Sequence, residues 1–136
     1  MQDAYVQVFA DCVAHTRLQT GIELPKHIEQ YVVALLAHHI DRPDFLPKQT
    51  FAELILTLDS KKNAKYIGDT CLFLTGVFPT YGVNKRYYRD IGCTAYSTIE
   101  LELFQTIVHS FDTIQTLIDY TVNRTHSSLA QLWDRD

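Results

Sequence analysis

Asp69 is the residue whose surroundings most demand an account. It follows Gly68 and precedes the apolar run Cys71-Leu-Phe-Leu74, so a carboxylate sits at the entrance to a segment that has to be buried. An ionised carboxylate in that position needs donors. The following helix offers Tyr87, Tyr88 and Tyr96, with Arg86 and Arg89 beside them. Such a set either ties two helices together or lines a pocket in which the carboxylate meets a ligand. Tyr81, Tyr87, Tyr88 and Tyr96, with Phe78, also form an aromatic-rich corner. Rings that carry one apolar face and one hydroxyl suit both half-buried structural positions and interfaces. Asp69, Tyr81, Tyr87, Tyr88 and Tyr96 are therefore the ligand or interface candidates.

No assembled catalytic set accompanies them. The chain has no Gly-x-Ser-x-Gly elbow, no Cys-x-x-Cys pair and no phosphate-cradling glycine loop. His38 and His39 are adjacent, so on a helix they point about 100° apart, whereas helical zinc pairs sit three or four residues apart. His109 and Asp112 have i,i+3 spacing but no second pair to complete a site, and the Glu-x-x-His element of di-iron bundles does not occur. Cys71 lies two residues after Asp69, on a different helical face, and a carboxylate would raise rather than lower a thiol's pKa. The expectation is no catalytic residue, no metal and no cofactor.

The 136 residues, 46% of them apolar, suffice for one core and one domain, 1–136. Twelve basic and sixteen acidic residues give a formal charge of −4, with Lys61, Lys62 and Lys65 the one local basic group. That balance disfavours a nucleic-acid surface. The N-terminus lacks the pattern of a secretory signal, and apolar runs are too short to span a bilayer. Cys12, Cys71 and Cys93 are odd in number and far apart, which suits buried reduced thiols and a cytoplasmic setting.

Apolar residues recur at helical spacing throughout, and alternating strand patterns are missing, so the fold expected is all-α: a single-domain bundle of five to six helices with a central glycine-containing hairpin. A first helix covers about residues 2–20, with Tyr5, Val6, Phe9, Cys12, Val13 and Thr16 on one stripe and Gly21 as its stop. A second starts near Pro25 and ends near Ile40, its inward face formed by Ile28, Tyr31, Val32, Leu35 and Leu36. Asp41 to Pro47 is a loop with two prolines, and a short third helix carries Phe51, Leu54, Ile55 and Leu58. A fourth is capped by Ser60, runs to about Phe78 and is apolar nearly all round in its second half, so it should be central.

Asn84 can cap a fifth helix with Tyr87, Tyr88, Ile91, Ala95, Tyr96 and Ile99. A sixth, with Phe104, Ile107, Val108, Phe111, Ile114, Leu117 and Ile118, follows with little or no break, either as a separate helix or as one bent rod with the fifth, since no proline or strong turn dipeptide separates them. The 123–128 segment reads as a connector and Leu129 to Trp133 as a last short helix. Gly68 and Gly76, two turns apart, and Gly92 with Ala95 place small residues on facing stripes. Close helix packing would offset the roughly 1 kcal/mol propensity penalty of each interior glycine.

The run Gly68-Asp69-x-x-Leu72-x-x-x-Gly76-x-Phe78-Pro79, followed by Tyr87-Tyr88-x-x-x-Gly92-x-x-Ala95-Tyr96, resembles a pattern shared by a group of small uncharacterised all-helical bacterial proteins. The resemblance covers about residues 66–124 of the chain. It implies a bacterial cytoplasmic helical domain and brings no activity with it.

Together these readings favour a non-enzymatic protein-interaction module that self-associates, with a homo-oligomer or another protein as partner and neither nucleic acid nor membrane. The alternative is a small-molecule binding protein or minor enzyme with a pocket between the fourth, fifth and sixth helices, using Asp69 and the tyrosines.

Overall fold

A computed structural model describes residues 2–41, 53, 60–79 and 85–133. The expected helix at Phe51 to Leu58 apart from position 53, most of the Asp41–Pro47 loop, Tyr81 and the Asn84 cap lie outside the described residues. The fold is all-helical, and no strand occurs among the described residues. Among the described residues, the α-helices with both ends in view are, in chain order, α1 (Gln2–Thr20), α2 (Lys26–His38), α3 (Lys61–Val77), α4 (Lys85–Ser97), α5 (Glu102–His109) and α6 (Phe111–Asp119), and Glu53 is helical as well. A 3-10 turn, His39–Asp41, extends α2; a π-helical turn, Tyr120–Thr125, and a 3-10 segment, Ser127–Trp133, follow α6.

Gly21 ends α1 with φ +75°, a conformation that costs glycine little, and its N–H returns to the Arg17 carbonyl at 3.0 Å. The chain then doubles back into α2, which packs along α1. Pro25 stands at the N-cap position of α2, where its missing N–H is no loss. Ser60 caps α3, its hydroxyl accepting from the Asn63 N–H at 3.2 Å. From Thr70 to Val77 every residue of α3 is buried. That burial requires neighbours on several sides: α4 forms the most extensive helix pair with it, and α6 and α2 cover further faces.

Where one bent rod or two helices were expected, three helices stand, α4, α5 and α6. After Ser97 the chain leaves the α ladder, with the Thr98 and Ile99 N–H groups reaching three residues back to Ala95 and Tyr96. The cause is local: the Ser97 hydroxyl donates to the Cys93 carbonyl at 2.6 Å and the Thr98 hydroxyl to the Ala95 carbonyl at 2.7 Å. Such side chains compete with backbone partners and loosen a helix without any proline or glycine. A second break falls at Ser110, between α5 and α6. The 123–128 segment differs from its expectation too, because residues up to Thr125 remain helical. The Asn123 amide donates to the Val77 carbonyl at 3.0 Å, satisfying one of the orphan acceptors at the end of α3.

One large core joins α1, α2, α3, α5 and α6 through Phe9, Val32, Leu72, Phe104, Ile114 and Trp133. Trp133, brought back by the final 3-10 segment, is 1% exposed, stacks on Phe9 with ring centroids 5.7 Å apart and meets Phe73 edge-on at 5.2 Å. The regular stripe of Phe104, Ile107, Phe111, Ile114, Leu117 and Ile118 is spent on this core. It is not a free surface for a partner.

Candidate functional site: the Asp69 network

Three helices deliver the groups that meet at Asp69. One carboxylate oxygen, Oδ1, accepts hydrogen bonds from the Tyr31 hydroxyl on α2 and the Tyr96 hydroxyl on α4, each at 2.5 Å. The other, Oδ2, accepts from Lys65 Nζ at 2.8 Å, one turn earlier on α3. Hydroxyl-to-carboxylate bonds of this length are the charge-assisted kind, roughly twice as strong as neutral ones. The Lys65 ammonium also stands 5.5 Å from the centre of the Tyr31 ring, within range of a cation–π attraction. The aromatic rings of the two tyrosines are fixed by Phe104 of α5: Tyr31 meets it edge-on at 5.9 Å, and Tyr96 stacks on it at 5.6 Å.

Gly68 makes the arrangement possible. A methyl group added there would lie 2.5 Å from the Tyr96 ring, so only a residue without a side chain lets that ring lie against α3 and reach Asp69. Gly92 does the same in reverse, since a Cβ there would lie 2.8 Å from Cβ of Cys71. The two glycines bring α3 and α4 into backbone-close contact at neighbouring levels, whereas Gly76 faces Ile118 of α6.

The electrostatics keep the phenols as donors. Burial, and then the adjacent Asp69 charge, push both Tyr31 and Tyr96 well above the ordinary phenol range. Neither supplies a phenolate at neutral pH. His39, from the turn after α2, stacks face to face on Phe73 with centroids 4.0 Å apart, and its Nδ1 bonds the Leu35 carbonyl at 2.9 Å. Burial lowers its pKa, so it is held neutral. Cys71 is inert: burial pushes its thiol up to about 12. Cys12, Cys71 and Cys93 are all unpaired thiols.

Of the donors the sequence offered to Asp69, the structure brings Tyr96 alone. Arg89 turns to the surface instead, bonding Asp112 through Nε at 2.5 Å and Nη2 at 3.2 Å, with Asp90 at 3.2 Å from Nη1. Those partners raise the Arg89 pKa further. Tyr87 is partly exposed and meets the Tyr88 ring edge-on at 5.3 Å; Tyr88 packs against the small cluster of Ile67, Cys71, Leu74 and Ala95. Tyr81 lies outside the described residues.

Sequence reasoning placed Tyr31 on the inward face of its helix and missed its role. The available signal was a hydroxyl inside an otherwise apolar stripe, which has to find a partner when buried. Lys65 was missed too, although it stands i,i+4 from Asp69.

A cleft of about 250 Å³ opens beside this network between α2 and α3, lined by Tyr31, Ala34, Leu35, His38, Lys65 and Asp69. A larger one of about 610 Å³ runs between α1 and α2, walled by Val6, Ala10, Leu24, Val33 and Ala34, with Arg17, Lys26 and Glu29 among its polar lining. Arg17 Nε and Glu29 Oε2 are 3.1 Å apart, an ion pair whose N–H is not aimed at the oxygen. Among the described residues no group of three or more His, Cys, Asp and Glu side chains is arranged around a common point, and no helix is long and apolar enough to cross a membrane.

Comparison of the chain with known proteins finds no matching family model, no matching curated protein and no matching solved structure.

Proposed function

We propose that the chain is a non-enzymatic interaction module, a single helical domain of the cytoplasm, that associates with a second copy of itself through the α1–α2 face. The observation that supports this reading is the 610 Å³ apolar cleft on that face, which no described part of the chain fills. Its lining carries Arg17, Lys26 and Glu29, charges of both signs on one patch. Arg17 and Glu29 pair within the chain, so a two-fold axis brings together two patches of nearly balanced charge along with their apolar walls. The saturation of Asp69 points the same way. Both of its oxygens are occupied by donors from the chain, so the carboxylate ties α2, α3 and α4 together and has little left for chemistry.

Light scattering over a concentration series tests the proposal. The mass should approach twice the 15.7 kDa of one chain. Val6→Glu and Ala34→Glu, placed on opposite walls of the cleft, should each return a monomer that melts at the wild-type temperature. A wild-type monomer at every concentration overturns self-association.

A second reading, a small-molecule binding protein, draws its support from the 250 Å³ cleft that reaches Asp69, on the α2 side of the carboxylate. It expects Asp69→Asn to abolish a ligand-induced rise in melting temperature while leaving the unliganded protein as stable as before or more so.

A further inference from the structure

His15 on α1 and His126, just beyond the π-helical turn, are 111 residues apart in sequence, yet His15 Nδ1 and His126 Nε2 lie 3.1 Å apart, with ring centroids at 5.1 Å and planes at 62°. We infer that this pair is a binding site for a late first-row divalent cation of the Ni²⁺, Cu²⁺ or Zn²⁺ class, held by two imidazoles with water in the remaining positions. Two imidazole nitrogens at about 2.0–2.1 Å from one ion stand roughly 2.8–3.4 Å apart for angles between about 90° and 109° at the metal. The observed separation falls in that interval, so the ligands need to swivel rather than travel. Imidazole is a ligand these ions share.

The backbone around His126 is already fixed. Its N–H bonds the Thr121 carbonyl at 3.0 Å, and its own carbonyl accepts from Leu129 at 2.9 Å. His15 stands inside the long helix α1, more than one turn before its end. What remains free is ring rotation, and His15 is exposed.

Gln19, one turn further along α1, supplies the outer contact that metal-bound histidines use. Its amide nitrogen is 3.1 Å from His15 Nε2, the ring nitrogen that does not face His126. In the metal-free pair the Gln19 N–H donates to Nε2, leaving Nδ1–H to donate to His126 Nε2. When Nδ1 becomes a ligand its proton moves to Nε2, and a flipped Gln19 amide presents its oxygen to accept it. The protein thus accommodates either tautomer. A bound cation would fasten α1 to the segment that carries Trp133 into the core.

Thermal unfolding with added Ni²⁺ tests the inference. Ni²⁺ is chosen because thiolates compete for it less than for Zn²⁺. Wild type should melt about 10 °C higher at a Ni²⁺ concentration roughly one hundred times Kd. His15→Ala and His126→Ala should each lose most of that rise, His126→Gln should lose it while keeping the metal-free melting temperature near wild type, and His27→Ala should keep it. No rise in wild type, or an equal rise in both alanine variants, overturns the assignment, the second outcome placing the ion on other groups.

Discussion

Where α3 meets α4, two glycines let the helices approach until a tyrosine ring lies against bare backbone, and the carboxylate between them is filled by donors. Where α1 meets α2, the shared inner stripe is buried but the outer edge opens into a cleft of about 610 Å³ with Val6 38% exposed on its wall. Both regions are seams between packed helices, and both carry polar groups beside apolar ones. They differ in what lies beside the polar groups. At Asp69 every charge is answered from inside the chain, which fixes three helices in one register. Along the α1–α2 edge Arg17 answers Glu29, but the apolar surface beside that pair is left open by the described chain, which is the condition for an interface. The glycine and tyrosine pattern that stands out in the sequence packs α3 against α4, and the plainer N-terminal third carries the open cleft.

The comparison breaks first at the core of α3. Leu72 is fully buried, so Leu72→Ala should cost about 2–5 kcal/mol from lost transfer energy and the cavity left behind. Chemical denaturation reads this directly; an unchanged midpoint would mean that the α3 side is no tighter than the α1–α2 side. Gly68→Ala comes next. Its methyl group would press on the Tyr96 ring, which Phe104 and Phe111 prevent from backing away, so overpacking should cost about 1–3 kcal/mol. On an open helix face the same change would gain stability through helix propensity. A stabilised Gly68→Ala would remove the close-contact account of the seam.

The all-helical class, the Gly21 stop, the Ser60 cap and the burial of α3 were legible because each rests on chemistry within a turn or two of its own residue. Tyr96 as a partner of Asp69 was legible from adjacency of the two helices. Tyr31 was not, since it reaches Asp69 across 38 residues and periodicity treats a buried tyrosine as one more apolar position. The break after Ser97 was hidden for a different reason: hydroxyls that bond back to carbonyls leave no glycine or proline to mark them. Trp133 reads as the end of a short terminal helix, and its place against Phe9 and Phe73 depends on the path of the whole chain.

Asp69→Asn sharpens the comparison at the network itself. The amide oxygen still accepts from Tyr31 and Tyr96, but the bonds lose their charge assistance and Lys65 loses its counterion. The Lys65 ammonium is about half exposed, so its share is small, and most of the loss should come from the two hydroxyl bonds, about 1–3 kcal/mol in all. Asp69→Asn with Tyr31→Phe should cost less than the sum of the two single changes, because both act on one bond. Strict additivity in that double-mutant cycle would deny the coupling of α2 to α3 through Asp69.

The smallest effect concerns pH and lies at the junction of the two regions, where His39 leaves α2 and stacks on Phe73 of α3. Desolvation lowers the pKa of this 5% exposed ring, with His38 and Lys65 acting in the same sense and the Leu35 carbonyl and Asp69 opposing them. The folded protein therefore binds the His39 proton less readily than the unfolded chain does. Its contribution to stability is full above the unfolded value, about 6.5, and is lost as pH falls through the lower folded value. Wild type should lose stability on acidification from neutral pH at a slope from this group of at most about 1.4 kcal/mol per pH unit. His39→Phe keeps the stacked ring and removes the titration, so its denaturation midpoint should fall less steeply between pH 7 and pH 5, roughly the range of imidazole titration. Parallel pH profiles for the two proteins would mean that His39 is already solvated in the fold, and that the α2–α3 junction is as open as the outer edge of α1 and α2.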